Sequence, residues 1–213
     1  MKSNFPIQTR FFSGQTPYAE AMKLMEKLRL QRTKEKVSDQ ILFLEHPPVI
    51  TMGRRPAHQD LKLTLDELHQ KGIGFIETDR GGKLTYHGPG QLVIYFIFDL
   101  NQRGLSIADF VWKAEEGLKL YLETLNIHTE RDAKNPGLWI KSHKIVSVGF
   151  HIQKGITTHG VALNLTCDLT PFSYLIPCGI PTSVPTSVLL QVGKSISALE
   201  AGQTLQTCYT QIF

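Results

Sequence analysis

Residues 92–98, Leu-Val-Ile-Tyr-Phe-Ile-Phe, are apolar at every position and bounded by loop signals at both ends. The run falls far short of the ~20 residues that a membrane span needs. An amphipathic strand would alternate, so an unbroken apolar run of this length reads as a strand buried on both faces. Helices must therefore pack on the sheet that contains it.

Helical patterns supply that cover. Thr16-Pro17 reads as an N-cap with proline at the first helical position. Tyr18, Ala21, Met22, Met25 and Leu28 then recur at helical spacing, with Lys23, Lys27 and Lys34 off the stripe. Ser106-Ile-Ala-Asp109 caps a second helix, whose core stripe is Ile107, Phe110, Val111, Ala114, Leu118, Tyr121, Leu122 and Leu125. Thr64-Leu-Asp-Glu67 is a capping box that opens a short helix closed by Gly72. A closing helix runs from Ser195 to the end of the chain.

Short strand candidates cover residues 41–44, 49–52, 137–141, 144–148 and 160–165, with a hairpin tip at Ser142-His143. The echoed Pro-Thr-Ser-Val at residues 181–188 reads as an extended loop. Strict βαβ alternation is missing. The expected fold is therefore α/β (α+β), a mixed β-sheet flanked by helices. Nothing in residues 1–213 reads as a linker, a low-complexity tract or a long repeat, so one catalytic-sized domain is expected.

Composition narrows the function. The apolar share of 41% and charged share of 20% are those of a soluble globular protein. No membrane segment is expected, and the N-terminus lacks the apolar stretch of a secretory signal. Three cysteines are too few, and of the wrong parity, for a disulfide framework, which fits a reducing cytoplasm. The net charge of +4 comes without a dense Lys/Arg block, so nucleic acid is not an expected partner, whereas an acidic protein is compatible.

Chemistry concentrates at two places. Residues 79–91 carry four glycines, a proline and His87 immediately before the buried strand, a loop able to approach a ligand closely. Cys178 lies between Pro177 and Gly179, which keeps it out of regular structure and on a shaped turn, whereas Cys167 and Cys208 read as small buried hydrophobes. A free thiol has a pKa near ~8.5 and needs a neighbouring cation or base to act as a nucleophile. Lys144, His87 and His159 are the candidates. No His-Glu-x-x-His or Cys-x-x-Cys spacing suggests a metal, and neither the Walker nor the dinucleotide glycine pattern is present.

Three motifs together resemble the lipoyl(octanoyl) transferase family. They are Glu45-His-Pro-Pro-Val-Ile-Thr-Met-Gly-Arg54, then Arg80-Gly-Gly-Lys-Leu-Thr-Tyr-His-Gly-Pro-Gly-Gln91, then a distributed set. That set comprises Lys144-Ile-Val-Ser-Val-Gly149, Thr158-His-Gly-Val-Ala-Leu-Asn164 and Ile176-Pro-Cys-Gly-Ile180. The resemblance spans residues 41–187, in order and with compatible spacing. It implies a fold like that of biotin and lipoate ligases and class II aminoacyl-tRNA synthetase cores. It also implies an acyltransferase that moves octanoyl from acyl carrier protein to a lysine of lipoyl domains, the protein-lipoylation step of lipoate biosynthesis. The acceptors would be lipoyl domains of 2-oxoacid dehydrogenase complexes and the glycine cleavage H protein.

By the same resemblance Cys178 forms the acyl-thioester and Lys144 lowers its pKa. Arg80, Gly81, Gly82, Lys83, Leu84, Thr85, Tyr86 and His87 would line the acyl site with Ser147, Val148, Gly149, Gly160, Val161 and Ala162. Glycines 81, 82 and 88 would let the backbone come close to the acyl chain. The substrate thioester rides on the carrier's phosphopantetheine, so neither ATP nor metal is expected as cofactor, and the enzyme would be a cytoplasmic monomer. Two positions depart from the family pattern: Pro185, where a small apolar residue is common, and His151, where Arg or Lys often stands. Two other readings compete: an ATP-dependent lipoate- or biotin-protein ligase, and a non-catalytic acyl- or carrier-binding module.

Overall fold

The computed structural model describes residues 6–177 and 183–213. The chain begins with β1 (Ile7–Gln15), α1 (Tyr18–Thr33), β2 (Asp39–Glu45) and β3 (Val49–Met52). It continues through α2 (Leu65–Gln70), β4 (Gly74–Glu77), β5 (Leu84–His87) and β6 (Gln91–Ile97). Next come α3 (Leu100–Arg103), α4 (Ile107–Thr124), β7 (Glu130–Arg131) and β8 (Gly137–Ile140). Then follow β9 (His143–Gln153), β10 (Ile156–Asn164), β11 (Val184–Pro185), α5 (Val188–Val192) and α6 (Ala198–Ile212).

The main sheet is mixed, in the order β1-β2-β6-β10-β9-β8-β7, with β11 added parallel to β9. β1 and β2 run parallel, and β2, β6, β10 and β9 are successively antiparallel. A smaller sheet, β4-β3-β5, carries the glycine-rich loop between β4 and β5.

β6 is buried at all seven positions, as an apolar run without alternation requires. Leu92, Ile94 and Phe96, with Ile41 and Phe43, share a core with Phe110, Leu118, Leu205 and Tyr209 of α4 and α6. Val93, Tyr95 and Ile97, with Leu42 and Leu44, pack on Ala21, Met25 and Leu28 of α1. Helices thus cover both faces of the central strands.

The expected capping box on α2 forms in full, and Gly72 follows it at φ +71°. Three expectations are corrected. Thr16 does not cap α1, whose N-cap position falls on Pro17 without a side-chain bond. Its backbone instead donates to Glu45 O at 2.8 Å and accepts from His46 Nδ1 at 2.6 Å, pinning the helix entry to the end of β2. Ile107 is 55% exposed, because the first turn of α4 leaves the core before the stripe begins at Phe110. Of residues 181–188, Pro181 and Thr182 lie outside the described residues. Val184–Pro185 form β11 and Val188 opens α5, capped by Ser187, so the echo is not one extended loop. β1, mostly exposed at the sheet edge, was not anticipated. Among the described residues, no helix is long and apolar enough to cross a membrane.

Candidate active site

Strand alternation decides which half of the glycine-rich motif faces what. Leu84 and Tyr86 of β5 point into a small apolar cluster with Ile50, Leu68 and Phe172. Thr85 and His87, on the other side, line a cleft of about 430 Å³ of atom-free space, counted out to its mouth.

The floor of the cleft is the α1-facing side of the main sheet. Tyr95, Gly160 and Gly149 lie side by side on β6, β10 and β9, and Val93, Ala162 and Ser147 form the next row on the same face. The two adjacent glycines make room for protein atoms, since a Cβ on Gly149 would meet Gly81 O at 3.0 Å. The close fit is demanded by the protein itself, since a Cβ on Gly160 would lie 1.8 Å from Ile94 O.

Ten of the fourteen residues expected at the acyl site line this cleft: Arg80, Gly82, Thr85, His87, Ser147, Val148, Gly149, Gly160, Val161 and Ala162. The other four are occupied elsewhere. Lys83 pairs with Asp60 at 2.9 Å, Gly81 N donates to Phe150 O, and Leu84 and Tyr86 sit in the apolar cluster. The expected ligand approach at glycines 81 and 88 is corrected too. A Cβ on Gly81 would meet Phe150 O at 3.0 Å, and one on Gly88 would meet the Tyr86 hydroxyl at 2.1 Å. Both glycines make room for protein atoms.

Tyr18, Val93 and Tyr95 also line the cleft, and sequence reading had placed them in the helix stripe and the buried strand. Their position on the α1 side of β6 followed from alternation; the opening beneath them did not. Tyr18 stacks on His87 with ring centres 5.7 Å apart and lies 4.8 Å from the ring of His46.

Heteroatoms of these rings bond to one another, to backbone, and to the side chains of Asp79 and Gln91. His46 Nδ1–H donates to Thr16 O at 2.6 Å, and its Nε2 accepts from the Tyr95 hydroxyl at 2.8 Å. His159 Nε2–H donates to Asp79 Oδ1 at 2.7 Å, leaving Nδ1 to accept from the Tyr18 hydroxyl at 3.4 Å. His87 Nδ1–H donates to Gln91 Oε1 at 2.7 Å. These acceptors fix the tautomers.

Burial drives His46 down to about 4 and His87 well below the usual imidazole range. Burial also depresses His159 against the pull of Asp79, while the His159 hydrogen bond lowers Asp79. The two shifts point opposite ways for an ion pair. Burial of the imidazole outweighs the half-exposed carboxylate, so this is a hydrogen bond to a neutral ring. Burial raises Tyr18 and Tyr95, which stay phenols. The cleft therefore offers neutral ring faces, with the hydrogen-bonded Arg80 guanidinium in its wall.

Arg80 braces the wall. Its guanidinium donates to Thr51 O, Thr51 Oγ1, Gly81 O and Lys83 O at 2.6–3.0 Å. His151, one of the departures, lies 3.5 Å from the other Asp79 oxygen.

Lys144 reaches the same side of the sheet through a β-bulge. Pairing of β8 with β9 skips from Leu138↔Val146 to Trp139↔Lys144, leaving Ile145 as the extra residue. Ile145 and Val146 both enter the α4/α6 core, which turns Lys144 to the face that carries Ser147 and Gly149. Lys144 is buried, its Nζ 4.8 Å from the ring centre of Trp139. Gln91 Nε2 donates to Asn164 Oδ1, Asn164 Nδ2 to Thr186 O, and Thr186 N to Lys144 O, tying His87 to the Lys144 strand.

Cys178 lies outside the described residues. Ile176 N before it donates to Asp60 O at 2.7 Å, and Val184–Pro185 after it run parallel to His143–Lys144. Cys167 is buried and its thiol is pushed up to about 12, an inert group, and Cys208 is half-buried and also raised by burial. Among the described residues, no group of three or more His, Cys, Asp or Glu could hold a metal ion.

Comparisons with known proteins bear on this arrangement. Residues 17–210 match the model of the lipoyl protein ligase A/B catalytic domain. An octanoyltransferase of Dictyoglomus thermophilum is 40% identical over 184 residues, covering 86% of this chain and 78% of its own length. Among solved structures, a bi-partite lipoate protein ligase from Thermoplasma acidophilum superposes with a TM-score of 0.75 at 18% identity. That match covers 97% of this chain and 84% of the other. A biotin protein ligase from Aquifex aeolicus gives a TM-score of 0.52 at 12% identity, covering 76% and 69%. The two solved structures bear out the expected biotin/lipoate-ligase-like fold, and the sequence matches go further: the chain belongs to the lipoyl protein ligase A/B catalytic-domain family, alongside its octanoyltransferases.

Proposed function

We propose that this acyltransferase takes octanoyl from the phosphopantetheine thioester of acyl carrier protein, holds it on Cys178, and delivers it to a lysine of a lipoyl domain. What carries the reading is the cleft of neutral ring faces and glycine backbone, on the sheet face to which the bulge turns Lys144. A thioester is already activated, so the reaction requires neither ATP nor metal.

In the first half-reaction the Cys178 thiolate attacks the thioester carbonyl, forming the new C–S bond. The tetrahedral oxyanion then expels the phosphopantetheine sulfur, which takes a proton from the Lys144 ammonium. In the second, a neutral acceptor amine attacks the Cys178 thioester and gives its extra proton to the now neutral Lys144. Cys178 leaves as thiolate beside a restored ammonium. A cation beside the thiol favours thiolate, and loop N–H groups can stabilise the oxyanion. A reducing cytoplasm keeps the thiol available, and the protein works as a monomer on its two protein substrates.

Octanoyl carrier protein without ATP should leave an octanoyl adduct on Cys178, located by peptide mass spectrometry, and Cys178→Ser should abolish both adduct and transfer. Cys167→Ser should leave the adduct in place. Modification only with ATP and free octanoate would establish the ligase reading instead. Neither adduct nor product under either condition would establish a binding module.

A further inference from the structure

Three groups around Lys144 remain unused by this mechanism. The first is Gly137, paired with Ser147 in the register of β8 and β9. Its φ is +136°, a conformation that side chains rarely adopt, and a Cβ there would lie 2.6 Å from Lys144 Cε and 3.3 Å from Nζ. Val146 O, at 2.3 Å, and the lysine stem together occupy the space that a side chain at residue 137 would fill. The second is Trp139, cross-strand partner of Lys144, whose ring centre lies 4.8 Å from Nζ. That is within reach of a cation–π contact, and the ring is itself held by its Nε1–H bond to Asn135 O at 3.1 Å. The third is Glu115 of α4, buried, which accepts from Gly137 N at 2.7 Å and thereby anchors the glycine that admits the lysine.

We infer that Gly137, Trp139 and Glu115 form a cradle that holds the Lys144 side chain in one position, so that they are positioning residues for the acyl-transfer chemistry. A four-carbon stem has high rotamer freedom, and a loose ammonium would act on a nearby thiol only part of the time. The missing Cβ at residue 137 and the indole face on the same side of the sheet restrict the stem. Among the described residues, Glu115 of α4 interacts electrostatically with Lys144, and Arg131 of β7 pairs with Glu115 at 3.2 Å. Burial raises Glu115, while Arg131 and Lys144 pull it back, so the lysine charge is felt at the anchor.

The inference rests on the proposed partnership of Lys144 with Cys178, and the test separates the two. The rate of Cys178 alkylation by iodoacetamide is followed against pH on the full chain, with the site resolved by peptide mass spectrometry. Lys144→Ala should raise the midpoint, reporting loss of the cation beside the thiol. Trp139→Leu should raise it toward the Lys144→Ala value and not beyond, by roughly half a unit to one unit, the size of a part-desolvated cation–π contact. Trp139→Phe, which keeps a ring face, should stay near wild type. If Trp139→Leu does not fold, Trp139→Met fills the volume without a π face and takes its place. An unmoved midpoint in Lys144→Ala overturns the Cys178–Lys144 partnership. A moved midpoint there, with a wild-type profile in the leucine or methionine variant, overturns the cradle alone.

Discussion

His46 shows how far a single side chain can be committed by its surroundings. Both ring nitrogens are bonded, burial is complete, and its pKa falls from 6.5 to about 4. Above pH 6.5 the imidazole is neutral folded or unfolded. As pH falls from there, the unfolded chain binds a proton that the folded one refuses, so stability is lost until both forms are protonated near pH 4. A difference of about 2.5 units at ~1.4 kcal/mol each amounts to roughly 3.5 kcal/mol, about 60% of it already lost by pH 5. His87 and His159 shift the same way, while Glu115, raised by burial, opposes them. The urea midpoint of the wild type should therefore drop between pH 7.5 and 5 by more than that of His46→Gln. Equal drops in both proteins would show that His46 is protonated in the folded state.

At the scale of elements, the cleft belongs mainly to β5, β6, β9 and β10, and its floor is two rows across three strands, with small residues on β9 and β10. Ala162 occupies the centre of the second row, so Ala162→Leu places a branched side chain in the space assigned to the acyl chain. Overpacking of this kind costs about 1–3 kcal/mol, which is roughly 5- to 150-fold in kcat/KM. Octanoyl transfer should fall by that factor while butanoyl transfer is largely kept. An unchanged ratio of the two would remove Ala162 from the acyl site. Much of this was legible beforehand, because residues 92–98 form an unbroken apolar run and the glycine-rich loop precedes them directly. The bulge was legible only in outline, in the consecutive apolar pair Ile145-Val146 within a strand pattern. No local signal placed Tyr18 over His87, because a tyrosine on a helix stripe reads as core whether it covers a void or not. The pairing of Asp79 with His159 was equally hidden, since it joins residues 80 positions apart.

At the scale of the whole molecule, α1, β2, α3 and the C-terminus meet around one carboxylate. Asp39 is buried and accepts from Arg32 Nε at 2.7 Å, from Arg103 Nε, and from the backbone N of Asp99 at 3.0 Å. Arg103 also donates to Phe213 O at 2.8 Å, so the last residue of the chain is clasped to the same centre. Composition could not reveal this, since 20% charged residues is ordinary and the three ionic partners are scattered along the chain. A buried ion cluster adds little net stability over an apolar core, but removing its central anion leaves guanidinium groups desolvated without it, which costs about 3–5 kcal/mol. Arg32 would keep only the more distant Asp99 carboxylate, at 3.8 Å, as its ion-pair partner among the described residues. Asp39→Ala should therefore lower Tm by about 10 °C for a chain of this size, with Asp39→Asn losing less because it keeps an acceptor for the Asp99 N–H. The cleft lies on other strands, so the Cys178 octanoyl adduct should still form at low temperature in both variants. Loss of the adduct under conditions where circular dichroism shows a folded protein would mean that this ionic centre supports the site directly, and not only the stability of the fold around it.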